Sequence, residues 1–334
     1  SGSNAIFVTT TQDVVDGGDG VISLREAIDL ANAAADADRI VLPAGKYSLT
    51  RTGVGEDSNA TGDLDIINPV TIAGYGMGVT VIDGFSSDRA FEVLSTTATF
   101  LDMTIQNGLV DFENEGAGIR AESSTTSLRR VELANNLGNG GGDGGGIHAF
   151  NGVLNVSDSD FHDNFAQFGA AINAGLVDLN VSRTVFDRNT VTVHGGAIRI
   201  LGSDATISDS QFTENFATGN GGAVSIQMVS GNTVVIDSSR FAGNIAGSGG
   251  GVSNLNETVV ITGSEFSTFD DGARFLGGNQ ATTGDGGAIE NVGGNLTVQS
   301  TRIASNVSSS FGGGIASGGS GAVLLLEDSV LENN

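Results

Sequence analysis

Six side chains that can bind sugars or transfer protons recur at strand spacing in the middle of the chain. The guanidinium groups of Arg120 and Arg199 can each hold a carboxylate through paired hydrogen bonds, and the imidazole of His148 can act as a base near neutral pH. This combination predicts a site for an acidic polysaccharide. The alternative is that all six are ordinary solvent-facing strand positions. The full candidate set is Arg120, Glu122, His148, Phe150, Asn173 and Arg199.

Carboxylates near the start of the chain partly match a calcium-binding loop. If Asp19 takes the fifth position of such a loop, Glu26 falls at the twelfth, but Val15 and Gly17 then occupy positions that require oxygen ligands. Calcium is therefore predicted as an optional ligand, and no cofactor is expected to be required. The candidate metal ligands are Asp16, Asp19 and Glu26. Weaker candidates are Asp143, Asp285 and the pair Asp270 and Asp271.

A repeated motif positions the candidate polysaccharide site. It consists of three small residues, mostly glycine and alanine, followed by an aliphatic residue, and it recurs roughly every 26 residues, which is the period of a repeat protein. One interval, from Val252 to Ile289, is longer than the others. The aliphatic residues are Ile119, Ile147, Ile172, Ile198, Val224, Val252, Ile289 and Ile315.

A second motif alternates with the first. It places an apolar residue three positions before an asparagine, as in Phe161 with Asn164 and Phe212 with Asn215. We expect Phe161, Phe186, Phe212 and Phe241 to stack in one column. A Ser or Thr two residues before each apolar residue predicts a polar column, and Asn164, Asn189, Asn215, Asn244 and Asn306 predict a ladder of side-chain amides at a turn.

Short alternating segments lie between the two motifs. Stretches such as 153–156 and 177–181 have the period of two that is typical of strands. Each repeat then forms one coil of about three short strands, completed by the coils on either side. The sequence predicts an all-β fold, a right-handed single-stranded parallel β-helix of about ten coils. The residue after each motif's aliphatic residue points outward, which brings the candidate site onto one face.

The two ends of the chain are predicted to differ. Ser23 and Glu26 form a capping box, which predicts a helix from about residue 24 to 35 that covers the first coil. We expect a cap at 1–38, irregular first coils at 39–110, and regular repeats at 111–334 with a protruding inserted loop near 266–280. The last repeat breaks off at Leu331–Asn334, so we expect a longer parent chain or an end-to-end subunit contact.

Composition limits the classes of partner. The 334 residues include 52 glycines and no cysteine, which excludes disulfides and thiolate chemistry. The chain has 39 acidic and 14 basic residues, for a net charge of −25, so we expect no nucleic-acid partner because its phosphates would be repelled. No segment has the roughly 20 consecutive apolar residues of a membrane span.

The segment Asp19–Ile28 (DGVISLREAI), followed by Ala31 and Asn32, resembles the CSLREA domain of bacterial surface proteins, with Ile22 where that family usually has cysteine. The glycine and Phe-x-x-Asn motifs resemble the repeats of polymorphic outer membrane protein autotransporters, within the pectate-lyase-like β-helix superfamily. Together these resemblances imply an exported protein displayed on a bacterial surface. They imply no activity, because this scaffold serves adhesins, stalks and several classes of enzyme.

Two functions remain open. The first is a non-catalytic surface module, such as an adhesin, stalk or passenger domain, that presents a face to a glycan, a cell surface or another subunit. The second is a lyase or hydrolase of an acidic polysaccharide that uses the arginine and histidine face. The local catalytic motifs that such enzymes carry on this scaffold are absent from the sequence, which favours the first.

Overall fold

The computed structural model describes residues 5–34, 36–56, 58–111, 115–227, 231–270 and 272–334. In these ranges the chain is almost entirely β-structure, wound as a parallel β-helix of about ten coils. Apart from one short antiparallel hairpin, the strands pair in parallel with the equivalent strands of neighbouring coils. The predicted fold class is therefore confirmed. The stacking follows from the sequence repeat, because a single coil cannot bury its apolar side alone.

The strands form faces that run along the helix axis. The first face, which begins at the glycine motifs, contains Leu64–Ile66, Phe91–Leu94, Ile119–Glu122, Ile198–Leu201, Val224–Gln227, Val252–Leu255, Ile289–Val292 and Ile315–Gly318. The second contains Ala5–Phe7, Asp38–Val41, Val70–Ala73, Ala205–Ser208, Thr233–Asp237, Thr258–Thr262, Asn295–Gln299 and Val323–Glu327. Ile147–Ser157 and Ile172–Ser182 turn a corner and belong to both.

The third face continues from the second. It contains Gly45–Ser48, Thr80–Asp83, Asp160–His162, Val185–Asp187, Gln211–Thr213, Arg240–Ala242, Glu265–Phe266, Arg302–Ala304 and Val330–Glu332. Thr97–Gln106 and Thr125–Ala134 run from the second face into the third. A short fourth face contains Leu109–Val110, Leu137–Gly138, Phe165–Phe168, Thr190–His194, Phe216–Ala217, Ile245–Ala246, Gln280–Ala281 and Val307–Ser308.

Stacked phenylalanines fill the centre of the coils. The rings of Phe186 and Phe212 are 4.7 Å apart, those of Phe212 and Phe241 are 4.6 Å apart, and Phe161 extends the column at one end. The predicted column is confirmed. It continues one coil further than predicted, to Phe266, whose ring lies 4.4 Å from that of Phe241. All of these rings are fully buried, so the core is a continuous apolar rod.

Polar ladders flank the aromatic column. The amide Nδ2 of Asn189 donates to Oδ1 of Asn215 over 3.0 Å, and Asn215 donates in the same way to Asn244 over 2.9 Å. The ladder includes Asn279, which the sequence motif does not mark, between Asn244 and Asn306. A parallel Ser and Thr ladder is also confirmed, and in it each hydroxyl accepts from the backbone N–H of the preceding coil.

A helix at Leu24–Ala33 lies at the start of the solenoid. The Ser23 hydroxyl accepts from the backbone N–H of Glu26, and the Glu26 carboxylate accepts from that of Ser23, so the predicted capping box is present. The apolar side of the helix, including Ile28, is buried in the same core as the first coils. The predicted helix end at residue 35 lies outside the described residues. Within those residues, no helix is long and apolar enough to cross a membrane.

The inserted loop is shorter than predicted. Phe266 lies in the aromatic column and Asn279 in the amide ladder, so both ends of the expected 266–280 segment belong to a regular coil. Between them, Phe269–Asp270 and Phe275–Leu276 pair as an antiparallel hairpin. Arg274 binds Asp187 and Glu214 over 3.1–3.2 Å, which holds the hairpin against earlier coils. Asp271, a weak metal candidate in this loop, lies outside the described residues.

Candidate ligand-binding groove

Strand register brings the six candidate residues together. Arg120 pairs with His148, His148 with Asn173, and Asn173 with Arg199, each one coil further along. Glu122 and Phe150 form a second row two residues further on. All six line a single groove of about 330 Å³. Their predicted clustering is confirmed, whereas a role in binding remains a prediction.

A wall of side chains, which strand alternation does not predict, borders this row. Each wall residue lies directly before the first glycine of a repeat motif, as Asp143 does before Gly144. Gly144 has a φ of +65°, and a Cβ there would lie 2.3 Å from the carbonyl oxygen of Ile147, so the corner requires glycine. The wall positions are Glu115, Asp143, Phe168, His194, Asn220, Ser248, Asp285 and Phe311.

The wall partly covers the floor of the groove, which is the row formed by Arg120, His148, Asn173 and Arg199. His148 is only 7% exposed and Asn173 only 4%, although both point away from the core. The interpretation of these two positions as ordinary solvent-facing residues is therefore wrong for His148 and Asn173. A signal for the wall was available in the sequence, because the residue before each glycine motif recurs with the same period as the floor.

A hydrogen-bonded chain links the wall to the floor. Nε2 of His148 lies 2.9 Å from a carboxylate oxygen of Glu115, and Nδ1 of His148 lies 3.1 Å from Nδ2 of Asn173. The same Nδ2 lies 3.3 Å from Oδ2 of Asp143. The neutral ring that satisfies both contacts carries its proton on Nε2, because Nδ1 accepts from the amide.

The pKa values of the two wall carboxylates, Asp143 and Glu115, are shifted in opposite directions. Burial raises the pKa of Asp143 to about 6, although the neighbouring His148 and Arg199 oppose this rise. The hydrogen bond from His148 instead lowers the pKa of Glu115, and this outweighs the effect of burial. Removing a carboxylate from water disfavours its charged form, whereas a hydrogen-bond donor stabilises that form.

The two candidate arginines differ in how many of their guanidinium nitrogens already have a partner within the protein. Arg120 is held by Glu92 on one side and Glu122 on the other, so its terminal nitrogens are engaged within the protein. Arg199 donates from Nε to Gln227 over 3.1 Å. Among the described residues, no acceptor lies within hydrogen-bond distance of its Nη1 or Nη2, and its nearest carboxylate oxygen, on Asp143, is 3.8 Å away. Arg199 therefore has fewer direct partners for its terminal nitrogens than Arg120, although only 14% of its side chain is exposed.

Aromatic rings shape the two sides of the groove. The guanidinium carbon of Arg199 lies 4.1 Å from the ring centroid of Phe168 in the wall, which holds the side chain flat. On the opposite side, Phe150 is 41% exposed. Its ring covers Gly175 of the next coil, where a Cβ would lie 3.0 Å from a ring carbon. The absence of a side chain at Gly175 thus makes room for an exposed aromatic platform.

A second depression lies on the same face, several coils further on. Glu290 and Asp285 occupy the floor and wall positions there, and Phe311 forms its edge. Ser253 donates to the Glu290 carboxylate over 2.8 Å. Burial raises the pKa of Glu290, in spite of that hydrogen bond. The face therefore contains a mixed-charge groove at one end and an acidic depression at the other.

The carboxylates proposed from the sequence as calcium ligands take part in local hydrogen bonds. One oxygen of Glu26 accepts from the backbone N–H of Asp16 over 2.7 Å, and the other accepts from Ser23. Oδ1 of Asp19 accepts from the N–H of Val21. Asp16, Asp19 and Glu26 are not among the groups of described residues whose potential ligand atoms all lie within 4.8 Å of one another. Calcium at this loop remains a prediction.

Two clusters of described residues do have potential ligand atoms that all lie within 4.8 Å of one another. One is Glu115, Asp143 and His148 in the groove, and the other is the buried set Asp63, Asp65 and Glu92. In the buried set, Arg89 bridges Asp63 and Glu92. Burial raises the pKa of Asp63 to about 8 despite this arginine. The buried set therefore contains an arginine in close contact with two of its carboxylates, whereas in the groove set Arg199 lies 3.8 Å from Asp143 and Glu115 opens towards solvent.

Comparisons with known proteins add one local match to a repeat family and distant similarities to solved structures. Residues 209–227 match the Chlamydia polymorphic membrane protein repeat. A search of curated proteins gave no match. Among solved structures, the chain is similar to the A-module of Azotobacter vinelandii mannuronan C-5 epimerase AlgE6, with 17% identity, a TM-score of 0.36 and 97% of both chains covered. For the AlgE4 A-module the identity is 15% and the TM-score 0.26, with 95% of this chain and 96% of that chain covered.

The repeat match spans Phe212, Asn215 and the following glycine motif, so it contains both elements of the sequence period. Together with the β-helix fold, it suggests a surface protein.

Proposed function

We propose that this chain is a non-catalytic module of an exported bacterial surface protein, and that it binds an anionic polysaccharide along the groove. The supporting observation is the position of Arg199, whose Nη1 and Nη2 have no hydrogen-bond acceptor among the described residues, beside a groove that also contains an exposed aromatic ring, Phe150. A uronate carboxylate can pair with this guanidinium, and the face of the sugar ring can pack on Phe150.

The direction of the groove fits a polymer rather than a small molecule. Outward side chains of successive coils are about 4.8 Å apart along the axis. An extended chain lying along this face would contact Phe150 and Arg199 and pass over the more deeply buried Asn173 and His148. Arg120 would hold Glu92 and Glu122 in place without contacting the ligand through its terminal nitrogens.

Calorimetric titration with polygalacturonate and alginate oligosaccharides, and with a neutral oligosaccharide of matched length, tests this proposal. We expect saturable binding of an anionic oligosaccharide, and a loss of about 10-fold or more in affinity for Arg199→Gln, the scale of a charge-assisted hydrogen bond. Arg183→Gln is the matched control, because Arg183 pairs with Asp158 on another face. Equal affinity for neutral and anionic chains, or equal effects of the two variants, would contradict the proposal.

An enzyme acting on the same polymer is the second candidate. The observation that favours it is the convergence of Asp143, His148 and Arg199, which supplies two groups able to transfer protons beside a carboxylate-binding cation. Prolonged incubation with each polymer, followed by assays for new reducing ends and unsaturated ends, distinguishes the candidates. Product formation that is lost in Asp143→Asn would establish the enzyme, whereas binding without product would support the non-catalytic module.

A further inference from the structure

Glu115, Asp143 and His148 converge on one point of the groove in an arrangement that polysaccharide binding does not require. We propose that these three residues bind one divalent transition-metal ion of the zinc class. The proposal goes beyond the binding module described above and does not depend on it, because metal binding can be measured without any glycan.

The geometry suits a small ion. One potential ligand atom from each of the three side chains lies within 4.8 Å of those from the other two. Zinc binds imidazole nitrogen and carboxylate oxygen at about 2.0–2.2 Å, which places ligand atoms roughly 3–4.4 Å apart. Nε2 of His148 and its Glu115 oxygen are now 2.9 Å apart. Binding an ion would therefore require only a small increase in the distances between side-chain atoms that already face one another.

Two buried oxygens at this point lack a hydrogen-bond donor. Within the described parts of the chain, neither Oδ1 of Asp143 nor Oδ1 of Asn173 has a partner. Asn173 is 4% exposed, so bulk water does not replace the missing donor. A buried acceptor without a donor is unfavourable, and a cation bound at Asp143 would satisfy that carboxylate directly. This observation is independent of the clustering of the three ligands.

The donor set indicates which class of ion binds. Calcium and magnesium take oxygen ligands, whereas imidazole suits zinc and other first-row transition metals. Two carboxylates and one imidazole leave at least one position of a tetrahedral ion open. Glu115 is the exposed member of the set, with 42% of its side chain accessible, so the open position faces the solvent side of the groove.

Asn173 is the positioning residue for this site. A histidine that binds metal through Nε2 carries its proton on Nδ1 and donates it to a neighbouring acceptor. The side-chain amide of Asn173 lies 3.1 Å from Nδ1 of His148. A half-turn of this amide replaces Nδ2 with Oδ1 at that position, which converts the donor into an acceptor and frees Oδ2 of Asp143 from its contact with Nδ2, so that this oxygen can bind the ion. Asn173 can therefore support both the metal-free and the metal-bound tautomer of His148.

The test is calorimetric titration of the full, untagged chain with zinc chloride, manganese chloride and calcium chloride after treatment with a chelator. We expect one zinc ion per chain and affinity for calcium at least about 10-fold weaker. Glu115→Gln, Asp143→Asn and His148→Gln should each lower zinc affinity by more than about 100-fold, since each removes a direct ligand. Circular dichroism and thermal unfolding establish that the variants remain folded. Glu115→Gln is the least disruptive because its side chain is exposed.

Glu132→Gln is the matched control. Glu132 also pairs with a histidine, His162, over 3.0 Å. The other ring nitrogen of His162 contacts Asp163, so the two carboxylates lie on opposite edges of the ring and cannot share an ion with it. Zinc affinity should not change in this variant. The role of Asn173 is tested by Asn173→Leu, which should lose 10–100-fold in affinity, and by Asn173→Asp, which restores an acceptor and should recover most of that loss.

Several outcomes would overturn the proposal. One is the absence of saturable binding for every metal. Another is unchanged zinc affinity in folded Glu115→Gln and Asp143→Asn. Many weak sites, equally present in all variants, would show that zinc only associates with the acidic surface. A zinc site without glycan affinity would leave the metal proposal standing and remove the polysaccharide proposal, so the two can fail separately.

Discussion

The rings of Phe212 and Phe241 lie 4.6 Å apart and within 2° of parallel, on consecutive coils. Phe186 stacks on the other side of Phe212 at 4.7 Å. Phe212 therefore has an aromatic neighbour both above and below, and removing its ring leaves a cavity that the rigid coils cannot close.

Replacing Phe212 by alanine should destabilise the protein strongly. We expect the free energy of unfolding to fall by about 3–5 kcal/mol, from lost apolar burial and the remaining cavity. Urea unfolding followed by circular dichroism measures the change. Phe216→Ala, at a 40% exposed site only four residues away, is the control, with an expected change of less than about 0.5 kcal/mol. Similar losses in both variants would show that the column has no special role.

Replacing Gly144 by alanine should disturb the groove wall. The left-handed backbone and the 2.3 Å contact with the carbonyl of Ile147 both oppose a side chain there. We expect a loss of about 1–3 kcal/mol in unfolding free energy, together with weaker ligand or metal binding, since Asp143 is the preceding residue. Gly318→Ala is the control, because a Cβ at Gly318 meets no atom within 4 Å. An unperturbed Gly144→Ala protein would contradict the proposed need for glycine.

The stability of the protein should depend on His162. Burial lowers the pKa of this histidine, but hydrogen bonds to Glu132 and Asp163 outweigh it and raise the pKa above the ordinary value. The folded state therefore binds the proton more tightly than the unfolded state. This contribution is fully present below about pH 6.5 and is lost as the pH rises through the folded-state pKa.

Urea unfolding at about pH 6 and at about pH 8.5 measures this effect. We expect His162→Gln to lose more stability at the lower pH than at the higher one. His194 is the control because burial, with help from Arg199, lowers its pKa. Its replacement should change the pH dependence in the opposite direction. A His162→Gln variant with the same deficit at both pH values would rule out the proposed proton linkage.

Replacing Arg274 by glutamine should release the inserted hairpin without unfolding the solenoid. Arg274 binds both carboxylate oxygens of Asp187 at 3.2 Å and also Glu214. We expect faster amide hydrogen exchange in residues 269–276, with a global change below about 1 kcal/mol because the ion pair is partly exposed. Arg183→Gln provides the comparison. Unchanged exchange in the hairpin would show that other contacts hold it.

Much of the fold could be predicted because the sequence motifs recur with the length of one coil. Spacing alone aligned Phe161 with Phe186 and Asn189 with Asn215, since equivalent residues of a solenoid must stack. Asn279 was missed because the inserted hairpin separates it from Phe266, which breaks the three-residue spacing of the motif. Strand alternation likewise gave the direction in which His148 points.

The environment of the groove was harder to predict. Alternation shows that a side chain leaves the core, but it does not show what covers that side chain afterwards. The cover comes from corners such as Asp143–Gly144, whose path depends on a left-handed backbone rather than on a strand pattern. Glu115 was missed for the same reason. The burial of His148 and the raised pKa of Asp143 follow from this cover, so neither could be read from strand periodicity.

Every ladder in the solenoid joins a residue to its counterpart one coil away, so the scaffold can grow or shrink by tandem duplication or loss of whole repeats while its ladders remain paired. The proposed metal site, in contrast, depends on particular coils. Glu115, Asp143 with His148, and Asn173 come from three successive coils that carry different side chains at equivalent positions. Loss of the coil that supplies His148 would preserve the architecture and abolish the site. In this protein, a change in repeat number would therefore keep the ladders paired at many places along the axis and would remove the proposed metal ligands at one.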